Sequence, residues 1–262
     1  MCAIVTWAGK ITNGVLRDLY RNASPCGPHS VGLVYLDTEK QRLNVFKKAI
    51  SPFEFLRNCN HRIERAAQFT KGIGHVRWAT HGAVVDRNAH PFFQNEIVYV
   101  HNGIIYNYKQ LSEKHLEVDS QCLGPLIEQH EIYRALGSMG LAWFDKGEIY
   151  VYRRSQSLHA YTFNPVNDTF FTVVASRPEI VFGVEGLRGM PVGETKLEEG
   201  QVYRITNRGL IKTWKDEVAV DAPLGGRISS KRRLRACGFI KEEHVKKFDA
   251  EIEELGSDEF ES

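Results

Sequence analysis

The sequence predicts an α+β sandwich. Runs rich in β-branched and aromatic residues outnumber helical stretches, turn residues bound them, and they follow one another instead of alternating strictly with helices. Regular strand–helix alternation would have pointed to a parallel sheet built from βαβ units.

Taken in order, "CAIVTWAG" is apolar and ends in glycine, the pattern of a buried strand, and "SVGLVYLD" from position 30 is a second, with a helix expected between them. "SPFEFLRNCNHRIERAAQF" opens on Ser51-Pro52 and carries Glu54 three residues after Ser51. That start signal and the apolar spacing after it predict one helix over 52–68. "GIGHVRWAT" and "EIVYVHNGII" read as strands that each run into glycine, separated by a loop around Pro91. After a helical patch over 121–136, "GLAWFD", "EIYVYRR", "LHAYTFN", "DTFFTVVAS" and "GQVYRIT" return to the strand pattern. The composition shifts after "VAVDAPLGG". "RISSKRRLRACGF" is basic, and Val245, Phe248, Ile252 and Leu255 form one apolar stripe of a C-terminal helix that either docks on its own core or binds a partner.

A chain of 262 residues can bury a core without covalent staples. Its formal net charge of +2 is too small to make nucleic acid an obligatory partner, and no apolar run approaches the length of a membrane helix. Cys2, Cys26, Cys59, Cys122 and Cys237 are odd in number and lack CxxC spacing, which predicts thiols in a reducing cytoplasm. The N-terminus has no basic region followed by a long apolar run, so no leader peptide is expected. "KGIGHV" lacks the third glycine and the Lys-Ser/Thr pair of a phosphate-cradling loop. His75, His81, His90 and His101 are spaced too widely on apparent strands for a zinc motif, so neither metal nor cofactor is expected.

Chemistry points to the start of the chain. Cys2 directly follows the initiator methionine, and once Met1 is removed it carries a thiol and a free α-amine together. An ordinary thiol is weakly ionised at neutral pH, whereas an α-amine near pKa ~8 can take its proton, so one residue supplies nucleophile and base. Asn102 and Gly103 offer a side-chain amide and a backbone N–H for a developing oxyanion. Arg77 presents a fork for a carboxylate and Asp119 a charge for an ammonium, which together describe recognition of a free amino acid. Each has a plainer alternative: Cys2 a small buried residue, Arg77 a surface charge, Asn102-Gly103 a turn, Asp119 a helix N-cap.

The order CAIV, GHVRWATHG, NAHPFF, VHNGIIYNY, an Asp, G-x-x-G at 137–140, ASR at 175–177 and LEEGQVYRI at 197–205 resembles the class II glutamine amidotransferase domain. Within that family it is most similar to the glutaminase domain of glucosamine-6-phosphate synthase, over residues 2–215. The resemblance implies a four-layer αββα sandwich of the N-terminal-nucleophile hydrolase type, with the nucleophile strand central. It implies Cys2 as nucleophile, Asn102 and the Gly103 N–H as oxyanion hole, and glutamine as substrate. Arg77 would hold the glutamine carboxylate, with Thr80, His81 and His90 nearby, Asp119 the ammonium, and Trp78 would cover the bound molecule. The chain departs from the pattern at "CGPHSVG", where R-G-x-D-S-x-G is usual, so Cys26 and His29 replace Arg and Asp; "DSQ" stands for "DTE". The stretch from Asn102 to Asp119 is also shorter than the family's. After residue 222 too little sequence follows for a synthase domain. The expectation is therefore a glutaminase over 2–222 with a tail, 223–262, that docks a separate ammonia-accepting synthase. The competing expectations are an amidase acting on another γ-glutamyl or acyl amide, and a silent binding module of the same fold.

Overall fold

Alternation along the first strand decides how the layers form. Ala3, Val5 and Trp7 share one face and Ile4, Thr6 and Ala8 the other, and all six are buried, so this strand must be covered on both sides. The computed structural model describes residues 2–112, 115–164, 169–187 and 191–216. They belong to a compact unit, Met1–Val218; the expected tail over 223–262 lies outside the described residues.

The chain runs β1 (Ala3–Gly9), α1 (Asn13–Ala23), β2 (Ser30–Asp37), β3 (Arg42–Lys48), α2 (Pro52–Asn58), α3 (Asn60–Ala66), β4 (Lys71–Arg77), β5 (Phe92–Gln94) and β6 (Ile97–Ile105). It continues through α4 (Leu123–Glu128), β7 (Gly137–Asp145), β8 (Glu148–Arg154), β9 (His159–Phe163), β10 (Phe171–Ala175), α5 (Pro178–Phe182), β11 (Pro191–Lys196), β12 (Gln201–Thr206) and β13 (Gly209–Lys215). The strands form two antiparallel sheets, ordered β11-β9-β10-β1-β4-β2-β3 and β13-β12-β8-β7-β6-β5. β1 is the middle strand of the seven, with Ala3 opposite Val76 of β4 and Val5 opposite Ala175 of β10.

Three apolar clusters make this a four-layer sandwich. One joins Ala3, Val5 and Trp7 to Leu16, Leu19, Tyr20, Phe55, Ile63 and Ile180 of the helices over the first sheet. The second fills the space between the sheets, with Ile4, Ala8, Val34 and Ile73 meeting Val98, Val100, Ala142 and Phe144. The third packs Tyr99, Leu141 and Trp143 under Leu123, Leu126 and Ile127 of α4. α1 shows why the helical layer forms: Thr12 caps it by accepting the Val15 N–H at 3.2 Å, and Leu16, Leu19, Tyr20 and Ala23 line one face. Burying each of those leucines contributes about 1.5–3 kcal/mol.

The single helix expected over 52–68 is two. Ser51 caps α2 as the start signal predicts, accepting the Glu54 N–H at 3.2 Å, but the chain leaves helical geometry at Cys59 (φ −122°, ψ 23°) and restarts as α3. Asn58, Cys59 and Asn60 are poor helix formers, and the Asn60 side chain turns to Glu64 at 2.7 Å. The patch over 121–136 is helical only at α4, with short 3-10 turns on either side. Among the described residues no helix is long and apolar enough to cross a membrane.

Candidate active site

The same alternation that layers the core also aims the site. On β1 the inter-sheet face carries Ile4, and two residues earlier it carries Cys2, half-buried at the strand's entrance. Arg77 follows Ile73 and His75 on the corresponding face of β4, Asn102 follows Val98 and Val100 on β6, and Ser176 follows Val174 after β10. Four chemically able side chains thus share one end of the inter-sheet layer.

Trp78, immediately after β4, brackets the thiol: its N–H donates to Cys2 Sγ at 3.2 Å, and its carbonyl lies 3.5 Å from the sulfur. Burial pushes the Cys2 thiol up from its ordinary value, and the Trp78 amide opposes that shift. The thiol is therefore neutral at pH 7 and needs a base to become a nucleophile. The charges of Arg77 and Asp119 both act on it, in opposite senses, with Arg77 the stronger.

Arg77 is buried, so the surface-charge alternative does not hold. Its guanidinium donates to the carbonyls of His81 and of Ala83, which ties the 78–83 segment over the site. Within that segment Trp78 is 45% exposed, Thr80 and His81 contact each other at 3.3 Å, and the His81 ring meets Tyr108. Asp119 is buried, and its Oδ2 accepts the Ile105 N–H at 2.8 Å. The cap at this point is Gln121, whose Oε1 accepts the N–H groups of Glu117 and Val118 at 2.9 and 3.1 Å. "DSQ" thus keeps an acceptor where "DTE" has its glutamate, and Asp119 is free of the N-cap role.

Asn102 lies within β6 opposite Gly140, so the turn alternative fails too. Its Nδ2 donates to Ser176 Oγ at 3.3 Å, and Ser176 Oγ accepts the Ile4 N–H at 2.9 Å, so one hydroxyl links the amide to the strand that bears Cys2. Gly103 has φ +148°, and a Cβ there would stand 1.8 Å from the Ser138 carbonyl oxygen, so only glycine fits.

His90 lies in an interior layer behind this end. It is buried against His75 (ring centroids 4.1 Å) and Phe92, and both its ring nitrogens lack a hydrogen-bond partner among the described residues. His75 Nε2 donates to the His101 carbonyl at 3.2 Å. His101 Nε2 donates to the Ser138 carbonyl at 3.3 Å, which leaves its Nδ1 to accept from Ser120 Oγ at 2.9 Å. Burial holds all three imidazoles below their ordinary value, His75 at about 3. Among the described residues no group of three or more His, Cys, Asp or Glu side chains could hold a metal.

Ser176, Ser120 and Asn88 carry no role legible in the sequence, yet each bonds at or beside the site. Asn88, buried in "NAHPFF", donates to Ala83 O at 3.2 Å and Glu117 Oε2 at 2.8 Å, joining the loop over Arg77 to the segment before Asp119. Their motifs were visible, but the contacts run between segments far apart in sequence. A cavity of about 470 Å³ lined by Gly9, Lys10, Lys71, Glu148 and Asn207 sits at the opposite end of β1 and holds none of the site residues.

No protein-family model matches the chain. It is 34% identical over 157 residues to the glutamine–fructose-6-phosphate aminotransferase (isomerizing) of Chlorobaculum tepidum, 54% of this chain and 24% of that protein. It is also 34% identical over 148 residues to the enzyme of the same name from Thermotoga maritima, 49% of this chain and 22% of that one. The matched region therefore spans about a quarter of these relatives' length. Among solved structures, a glutamine phosphoribosylpyrophosphate amidotransferase from B. subtilis superposes with a TM-score of 0.62 at 20% identity, covering 81% of this chain and 49% of that one.

Proposed function

The sequence relatives and fold neighbours support a class II glutamine amidotransferase domain, and on that premise we propose that this chain hydrolyses the side-chain amide of glutamine through a thioester on Cys2. The observation that carries the reading is the bracketing of Cys2 Sγ by the Trp78 backbone, with Arg77 and Asn102 on the same inter-sheet end.

Removal of Met1 frees the Cys2 α-amine, which takes the thiol proton as Sγ attacks the amide carbon. The oxyanion that forms is met by Asn102 Nδ2 and the Gly103 N–H. The α-ammonium returns the proton to the leaving nitrogen, ammonia departs, and a thioester remains. Water then attacks the thioester with the amine as base, releasing glutamate and restoring the thiol. Arg77 pairs with the substrate carboxylate. Asp119, buried and adjacent to the end of β6, pairs with the substrate ammonium.

The reading extends to a separate protein that accepts the ammonia. Trp78, Val84, Tyr106 and Leu136, exposed apolar side chains beside the segments that carry Arg77 and Asp119, support a docking rim there. Unpaired Cys2, Cys26, Cys59 and Cys122 suit a reducing compartment.

Glutamate release from glutamine by the purified protein, beside a Cys2→Ala control and an intact-mass measurement of Met1 processing, tests the proposal. Release that depends on Cys2 supports it, and release that survives Cys2→Ala overturns it. A panel of other γ-glutamyl and acyl amides checks the preference for free glutamine.

A further inference from the structure

His29 stands where the family pattern of the "CGPHSVG" segment has an aspartate, and it lies against the loop that holds the nucleophile. Its backbone N–H donates to the Arg77 carbonyl at 3.1 Å, and its Nδ1 accepts the Ala79 N–H at 2.8 Å. These two bonds straddle Trp78, whose ring packs on the imidazole with centroids 5.6 Å apart. Gly27 lies so close that a Cβ on it would stand 2.6 Å from the Arg77 backbone, so the whole 27–29 segment lies flush against the end of β4. Trp78 in turn presents its N–H to Cys2 Sγ at 3.2 Å.

We propose that His29 is a positioning residue for the nucleophile, its Nδ1 fixing Ala79 so that the Trp78 N–H points at Cys2 Sγ. The main-chain bond to Arg77 extends the pairing of β2 with β4 and survives any side chain at 29. The bond to Ala79 depends on the side chain, and it requires the ring proton on Nε2. Asparagine offers Oδ1 at the same number of bonds from the backbone as Nδ1, and leucine fills similar space without an acceptor.

The inference rests on Cys2 as nucleophile, but its test needs no substrate. The full-length protein and its His29→Leu and His29→Asn variants are alkylated with iodoacetamide across a pH series, and the Cys2 peptide is followed by mass spectrometry. Losing the Trp78 N–H bond leaves the thiolate less stabilised. In His29→Leu the alkylation profile moves to higher pH, slowing modification of Cys2 roughly three- to tenfold at pH 7.5, the weight of one hydrogen bond. In His29→Asn the profile stays with wild type. A His29→Leu profile that coincides with wild type, or a His29→Asn profile displaced equally, overturns the proposal. Should the leucine variant fail to fold, the ring ¹⁵N resonances of His29 in the wild-type protein decide: Nε2 protonated and Nδ1 bare is required, and the reverse tautomer refutes it. Absence of glutaminase activity with the alkylation result intact would count against the glutaminase reading and not against the role of His29.

Discussion

In the proposed mechanism the residue type at Asn102 and Gly103 supplies the chemistry while the neighbours hold the geometry. On that mechanism Asn102→Ala removes one of two proposed oxyanion donors and is expected to lower kcat about 10²- to 10³-fold with little change in KM, measured by steady-state glutamate release. Gly103→Ala strains a positive φ and drives a methyl into Ser138 O, and is expected to destabilise the fold by about 2–4 kcal/mol in urea unfolding. Asp119→Asn keeps an acceptor for the Ile105 N–H but loses the charge proposed to meet the substrate ammonium, so KM for glutamine is expected to rise tenfold or more in the same assay. The candidate residues were legible because each lies in a short motif whose chemistry is local. Ser176 was not: its value is its reach to Asn102 on one side and Ile4 on the other, 74 and 172 residues away in sequence.

Strands were legible from alternation and helices from caps, and both signals act over a few residues. Thr12 carries the cap of α1, and Thr12→Ala is expected to cost about 1 kcal/mol, read as a lowered urea midpoint with unchanged m-value. The apolar spacing that runs on through 52–68 predicts one helix across α2 and α3; the weak helix formers at 58–60 outweigh that spacing where the chain turns. β3 and β13 carry no strong strand signal in the sequence, because they lie at sheet edges with largely exposed or half-buried residues and so show no strong apolar alternation.

At the scale of the molecule, His75, His90 and His101 give the domain an acid-sensitive interior. Their folded-state values lie below the unfolded value near 6.5, so the unfolded chain binds protons more readily; the stability they contribute is complete above about pH 6.5 and is lost as pH falls. His75 alone, held at about 3, is expected to cost about 2 kcal/mol between pH 6.5 and 5. Urea midpoints at the two pH values check this, and His75→Asn should shrink the difference by that share, leaving the part due to His90 and His101. The sequence by itself determined the layered α+β class, the residue-2 thiol and the motifs around it, because alternation, caps and motif chemistry act between near neighbours. Only the tertiary structure decided that Arg77 and Asp119 are buried beside the thiol, that Ser176 couples two sheets, and that His29 grips the loop over Cys2. Those facts depend on strand order and register between distant segments, which no local pattern encodes.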